Sequence, residues 1–168
     1  MINWYAIYTR PRHEKKVRDL LEEKNQEVFL PLVTEVHLWK DRKKKVEVPL
    51  FKSYLFVRID YKQRFSVLET NGIVKIVNFR NEPAVVPAWQ IDSLKMILEH
   101  PETLRLEKYI KPGEIVDVIA GPFKGMKGMV RNLKGETRIV VAIEGLMQSV
   151  SVEIDSDMVK KIEENKAV

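Results

Sequence analysis

Four short runs of branched and apolar residues between Glu114 and Ile154 are cut apart by Gly, Pro, Asn and Lys-Gly turns, and no helix of useful length fits before Asp157. The runs are Glu114–Ile119, Gly128–Leu133, Arg138–Ile143 and Gln148–Ile154. Their spacing predicts a small antiparallel barrel. Within the last run, Val150, Val152 and Ile154 alternate with polar residues, so one face is buried and the other is wet. A barrel of about 55 residues is near the lower limit for independent folding, but closure removes exposed strand edges. Residues 110–168 are therefore expected to form a β-barrel even when expressed alone.

The residues before this barrel have a different rhythm. Asn3–Thr9 is aromatic and branched and reads as a strand. After Pro11, the spacing of Val17, Leu20, Leu21 and the Lys24 stem predicts an amphipathic helix over 14–24. Strand-like runs come next at VFLPLV, TEVHLW, KVEVP, SYLFVRI and IVKIVNF, and Phe65 and Leu68 ahead of Asn71-Gly72 mark a short helix with a glycine end. A last helix starts after Pro87, carries Trp89, Ile91, Leu94, Ile97 and Leu98 on an apolar face, and stops before Pro101. The expected class is α+β. An N-terminal module over 1–100 holds a largely antiparallel sheet with helices, 101–109 is a connector between Pro101 and Pro112, and 110–168 is the barrel.

Composition excludes several classes. Hydrophobic residues make up 45% and charged residues 32%, enough for a packed core without the charge excess of disorder. The apolar runs YLFV and IVVAI are too short to span a membrane, and no apolar signal core follows the N-terminus, so a cytoplasmic location is expected. With no cysteine there is neither a disulfide framework nor a thiolate metal site. His13, His37 and His100 are far apart and no Walker, zinc-protease or nucleophile-elbow pattern occurs, so neither catalysis nor a cofactor is expected. A net charge of +5 and a pI near 9.3 suit polyanionic neighbours but equally suit a merely soluble basic protein.

The stretch Gly121-Pro122-Phe123-Lys124-Gly125-Met126-Lys127-Gly128, set between strand candidates, resembles a KOW motif. Gly121, Gly125 and Gly128 suit positive φ or close backbone approach in a tight connection. A phosphate cradle fits less well, because the Gly-Lys-Ser/Thr ending and a following helix are both lacking. KOW motifs also occur in ribosomal proteins. The N-terminal half separates the cases: WYAIYTRPRHEKKV, PLFKSYLFVRID and PAVVP resemble, in order and spacing, the N-terminal domain of the NusG family of transcription factors. The resemblance spans nearly the whole chain and implies a NusG-like N-terminal domain followed by a small SH3-like KOW barrel. LFKSYLFV and PAVVP are more similar to specialised paralogues of the RfaH and UpxY type, since the housekeeping pattern usually carries Pro-Gly where this chain has Lys52-Ser53.

That resemblance implies a non-enzymatic, monomeric factor that binds RNA polymerase and suppresses pausing or termination. Housekeeping NusG and a ribosome- or RNA-binding KOW protein are the alternatives. Strand alternation puts Tyr54 and Phe56 on one face and Leu55, Val57 and Ile59 on the other, while Trp4, Ala6 and Tyr8 share a face. Trp4, Tyr8, Phe51, Tyr54 and Phe56 are thus either core or an aromatic patch. For a patch, the resemblance supplies the clamp helices of the largest polymerase subunit as partner. Arg10, Arg12, His13, Lys15 and Lys16 cluster where the first strand ends. They are a solvated helix flank or, as the resemblance implies, a surface for the non-template DNA strand. The run Lys40-Asp41-Arg42-Lys43-Lys44-Lys45 is read as a mobile hairpin tip, either a solubilising loop or an electrostatic contact to upstream DNA. Phe123 either supports the barrel or contacts a ribosomal protein or termination factor.

Overall fold

Strand pairing turns the alternation of the N-terminal run into two chemically different faces. The computed structural model describes residues 1–162, so the last six residues of the expected barrel module, 163–168, lie outside the described residues. The chain divides into two units, Met1–Ala88 and Trp89–Val168. In the first, β1 (Ile2–Thr9) is flanked by β5 (Tyr54–Asp60) on one side and by β6 (Ile73–Ile76) and the short β9 (Val85–Val86) on the other, with β2 (Glu27–Phe29) outside β5. All of these pairings are antiparallel. Tyr5, Ile7, Leu55, Val57 and Ile59 point to a core shared with Val17 and Leu21 of α1 (Glu14–Glu23) and Val67 of α2 (Arg64–Leu68). The opposite face holds Trp4, Ala6 and Tyr8 beside Phe56 and Tyr54, with Ala6 opposite Phe56 and Tyr8 opposite Tyr54.

Two expectations shift here. The VFLPLV run is divided by Leu30 and Pro31, because proline cannot donate to a ladder. Beyond that break the chain forms a separate two-stranded ribbon of β3 (Leu32–Trp39) and β4 (Arg42–Pro49), in register from Leu32 opposite Pro49 to Trp39 opposite Arg42. Arg42–Lys45 therefore belong to a strand, not to a mobile tip; only Lys40 and Asp41 form the turn. In α2 the buried residue is Val67, while Phe65 is exposed. A five-residue helix has no complete apolar face for the Phe65/Leu68 spacing to report. IVKIVNF likewise divides, into β6 and β7 (Asn78–Phe79), the latter pairing with β8 (Glu82–Pro83).

The second unit opens at the second residue of α3 (Ala88–Glu99), whose Ile91, Leu94 and Ile97 are buried. Sequence periodicity assigns this helix to the N-terminal module. Here Gln90 Nε2 donates to the Ala142 carbonyl at 3.0 Å and Ser93 Oγ to the Lys127 carbonyl at 2.9 Å, which joins it to the β module. Six antiparallel strands run in the order β10 (Arg105–Lys108), β14 (Gln148–Glu153), β13 (Glu136–Ile143), β12 (Lys127–Leu133), β11 (Val116–Val118), β15 (Val159–Lys161). The four sequence runs appear as β11 to β14. The connector adds β10, paired with β14 from Arg105 opposite Ser151 to Lys108 opposite Gln148.

Candidate partner and nucleic-acid interface

The aromatic residues singled out by sequence fall on one sheet face but differ in access. Tyr8 and Tyr54 are cross-strand partners with ring centroids 5.3 Å apart, and both are half-buried. Burial, and then the neighbouring Tyr8, push the Tyr54 hydroxyl above its usual pKa, so this ring presents a neutral phenol at physiological pH. Trp4, Phe51 and Phe56 are buried. Phe56 lies between Phe29, stacked at 6.0 Å, and Phe51, edge-on at 6.2 Å. On the described surface, the aromatic chemistry that a partner can reach on this face is centred on the Tyr8–Tyr54 pair.

Next to it the chain turns sharply. Glu14, the first residue of α1, is buried and its Oε1 accepts the Ser53 backbone N–H at 2.8 Å. This contact holds Ser53 at φ +68°, a left-handed conformation that costs a side-chain-bearing residue roughly 1–2 kcal/mol. Ser53→Gly should therefore stabilise the protein slightly, by less than about 1 kcal/mol after the greater unfolded-state freedom of glycine is subtracted. Chemical denaturation checks this; a loss of stability would show that the serine side chain contributes more than its backbone strain costs.

Arg10, Arg12, Lys15 and Lys16 are all exposed, and His13 Nδ1 is hydrogen-bonded to the Pro11 carbonyl at 2.9 Å. Lys15 Nζ donates to the Glu47 carbonyl on the ribbon at 2.7 Å. An open groove of ≈ 560 Å³ there is lined by Arg12, Lys15 and Lys52 together with Glu14, Glu35, His37 and Glu47. Arg42, Lys43 and Lys44 stand further out along β4, exposed. Sequence reading missed Trp39, which is 62% exposed at the ribbon end with Lys44 Nζ 5.7 Å from its ring centroid. An aromatic residue next to a lysine run was the available signal.

In the KOW-like segment, Gly121 and Gly125 adopt φ +79° and +92°, while Gly128 serves close approach: a Cβ there would meet the Val140 carbonyl oxygen at 2.9 Å. Phe123 is buried, with His100 edge-on at 5.9 Å. Among the described residues no His, Asp and Glu group is placed to hold a metal, and no helix is long and apolar enough to cross a membrane.

The first unit thus offers a half-buried tyrosine pair on its two central strands beside an exposed basic cluster, and the second carries the KOW-like glycine pattern. The family model for the transcription termination factor NusG matches residues 2–95. The chain belongs to the NusG family, whose members are transcription factors and not enzymes. It is similar to the transcription termination/antitermination protein NusG of Thermus thermophilus, at 27% identity over 95% of this chain and 98% of the relative. The protein of the same name from Pseudomonas aeruginosa is 26% identical over 95% and 98%. The fold is similar to a solved structure on domain interaction in Thermotoga maritima NusG, with a TM-score of 0.50 and 20% identity over 97% of this chain and 98% of that one.

Proposed function

We propose that this protein is a specialised antiterminator that rides on RNA polymerase and suppresses pausing or termination. The observation that carries this is the Tyr8–Tyr54 pair, two half-buried aromatic rings 5.3 Å apart on the sheet face that also holds buried Trp4 and Phe56. Half-buried tyrosines anchored by a rigid sheet are good hot spots, because they bury large area at little entropic cost. The partner is the clamp-helix region of the largest polymerase subunit. The module that carries the tyrosine pair binds it, and the KOW module, whose sheet takes in Arg105–Lys108 and whose Phe123 is buried, recruits a ribosomal protein or termination factor. Arg10, Arg12, His13, Lys15 and Lys16 face the non-template DNA strand. The factor acts as a cytoplasmic monomer and needs no bond chemistry: binding the elongating state of the polymerase better than the paused state shifts the population toward elongation.

Immobilised protein is expected to retain core RNA polymerase, and Tyr8→Ala or Tyr54→Ala to weaken retention on the order of tenfold or more each. Retention of ribosomal RNA alone would sink the proposal. The Thermus and Pseudomonas relatives carry the general NusG name, which favours a second reading as the housekeeping factor. Readthrough at terminators of a single operon supports the specialist; an effect at most terminators supports the generalist.

A further inference from the structure

The β3–β4 ribbon has two faces, and they are not alike. Residues opposite one another in an antiparallel pair share a face, and successive residues alternate. Toward its free end one face carries Val36 and Leu38 with Lys45 and Lys43. The other carries His37 and Trp39 with Lys44 and Arg42. All eight are exposed; Asp41 at the turn and Glu35, whose Oε2 lies 3.1 Å from His37 Nε2, oppose the cations Lys40 and Arg42 to Lys45. A tryptophan of this exposure, framed by two cations on one face, leaves most of its ring to solvent in a ribbon that is paired only with itself.

We infer that the His37–Trp39–Arg42–Lys44 face is a base-stacking platform for single-stranded DNA, with an unpaired base on the Trp39 ring and the flanking phosphates on Arg42 and Lys44. Every base has a π-face, and stacking on an aromatic side chain combined with a basic track is how sequence-tolerant single-strand binding works. Lys44, 5.7 Å from the ring centroid, steadies the indole without covering it, since Trp39 is still 62% exposed. The platform has a way in: its His37 also lines the groove that Arg12 and Lys15 border at the start of α1. Arg12, Lys15 and Lys52 are the groove's phosphate contacts on a path from the basic cluster to the ribbon end, which also passes Glu14, Glu35 and Glu47. A duplex hides its base faces, so this chemistry selects an unpaired strand. The choice of DNA over RNA rests on the polymerase-bound reading, in which that cluster faces the non-template strand.

The test uses the full chain alone, so its failure is separate from a failure to retain polymerase. Fluorescence anisotropy of labelled oligo(dT) over a salt series gives both affinity and slope. Trp39→Ala should weaken binding roughly 5- to 150-fold with the salt slope unchanged, and Trp39→Phe should recover most of it. Arg42→Ala should instead reduce the slope by about 0.7. Circular dichroism of each variant confirms an intact fold. Equal binding by Trp39→Ala, or a Phe variant as weak as the Ala variant, overturns stacking. Duplex DNA bound as tightly as oligo(dT) overturns the single-strand assignment, and oligo(U) bound more tightly in a Trp39-dependent way overturns DNA.

Discussion

Arg138→Ala is expected to be among the most destabilising single substitutions in the chain, at roughly 3–5 kcal/mol, because it removes a buried guanidinium, opens a cavity and leaves the acceptors it serves without a donor. Arg138 is only 1% exposed on β13. Its Nε donates to Ser151 Oγ at 2.8 Å, Nη1 to Glu136 Oε2 at 3.0 Å, and Nη2 to the Ser151 carbonyl at 3.1 Å and to the Thr103 carbonyl. Ser151 Oγ in turn donates to Glu107 Oε1 at 2.9 Å. One guanidinium thus fastens the connector strand β10, and the turn before it, to the sheet. Without it the carbonyls of Thr103 and Ser151 lose a donor and a cavity opens. For a unit of this size a loss of that order lowers Tm by more than about 10 °C. Arg138→Met, which refills the volume, should cost less, about 1–3 kcal/mol for the acceptors left unpaired. Thermal unfolding ranks the two, and hydrogen exchange at Arg105–Lys108 locates the damage; an Ala variant within about 1 kcal/mol of the parent would refute the role.

The same network carries a pH dependence of definite sign. Glu136 has its pKa held below the usual carboxylate range, first by the hydrogen bond from Arg105 and also by Arg138. A depressed folded-state pKa means that the unfolded chain takes up the proton first. The stabilisation is therefore present above the ordinary glutamate value and is lost as pH falls through the lowered one. Glu136→Gln should be less stable than the parent near neutrality and should show a shallower loss on acidification.

Where burial is one-sided, the pattern of residues in the chain already contains the structure. Leu55, Val57 and Ile59 in β5 face the core as their alternation predicts, and the Tyr8–Tyr54 face comes from the same count. The wet face expected opposite Val150 and Val152 in β14 is itself buried, because Ser149 and Ser151 are 0% exposed and bonded to Ile110, Arg138 and Glu107. What the chain hides is set by residues far along it. Arg105–Lys108 reads as a connector because its order comes from Ser151 pairing and from Arg138, neither of which leaves a local mark. The apolar stripe of α3 announces a helix but not what Gln90 and Ser93 will bond to. The basic start of β4, Arg42–Lys44, looks like a loop by composition, yet its registered pairs with Trp39, Leu38 and His37 of β3 make it strand. Trp39 escapes notice for a related reason: it becomes a surface feature only once the ribbon leaves it no core to enter.

The three KOW glycines, one motif in sequence, should separate into two kinds on substitution. Gly125→Ala meets nothing within 4 Å, so its cost is the φ of +92° alone, roughly 1–2 kcal/mol. Gly125→Asn should cost less, since asparagine tolerates the left-handed region better. Gly128 has no such φ; a Cβ there would lie 2.7 Å from Ile139 Cγ1 and 2.9 Å from the Val140 carbonyl oxygen. Ile139 is fully buried and the oxygen belongs to the backbone of β13, so neither neighbour can yield without moving the strand. Gly128→Ala should cost roughly 1–3 kcal/mol by overpacking, and Gly128→Val more, enough to part β12 from β13. Asparagine offers no rescue at 128, because the obstacle is space and not conformation. Thermal unfolding of the four variants, with amide shifts reporting the β12–β13 ladder, decides the point: a Gly128→Val protein as stable as Gly125→Ala would mean that the sheet gives way around position 128, and that close approach is not what this glycine is for.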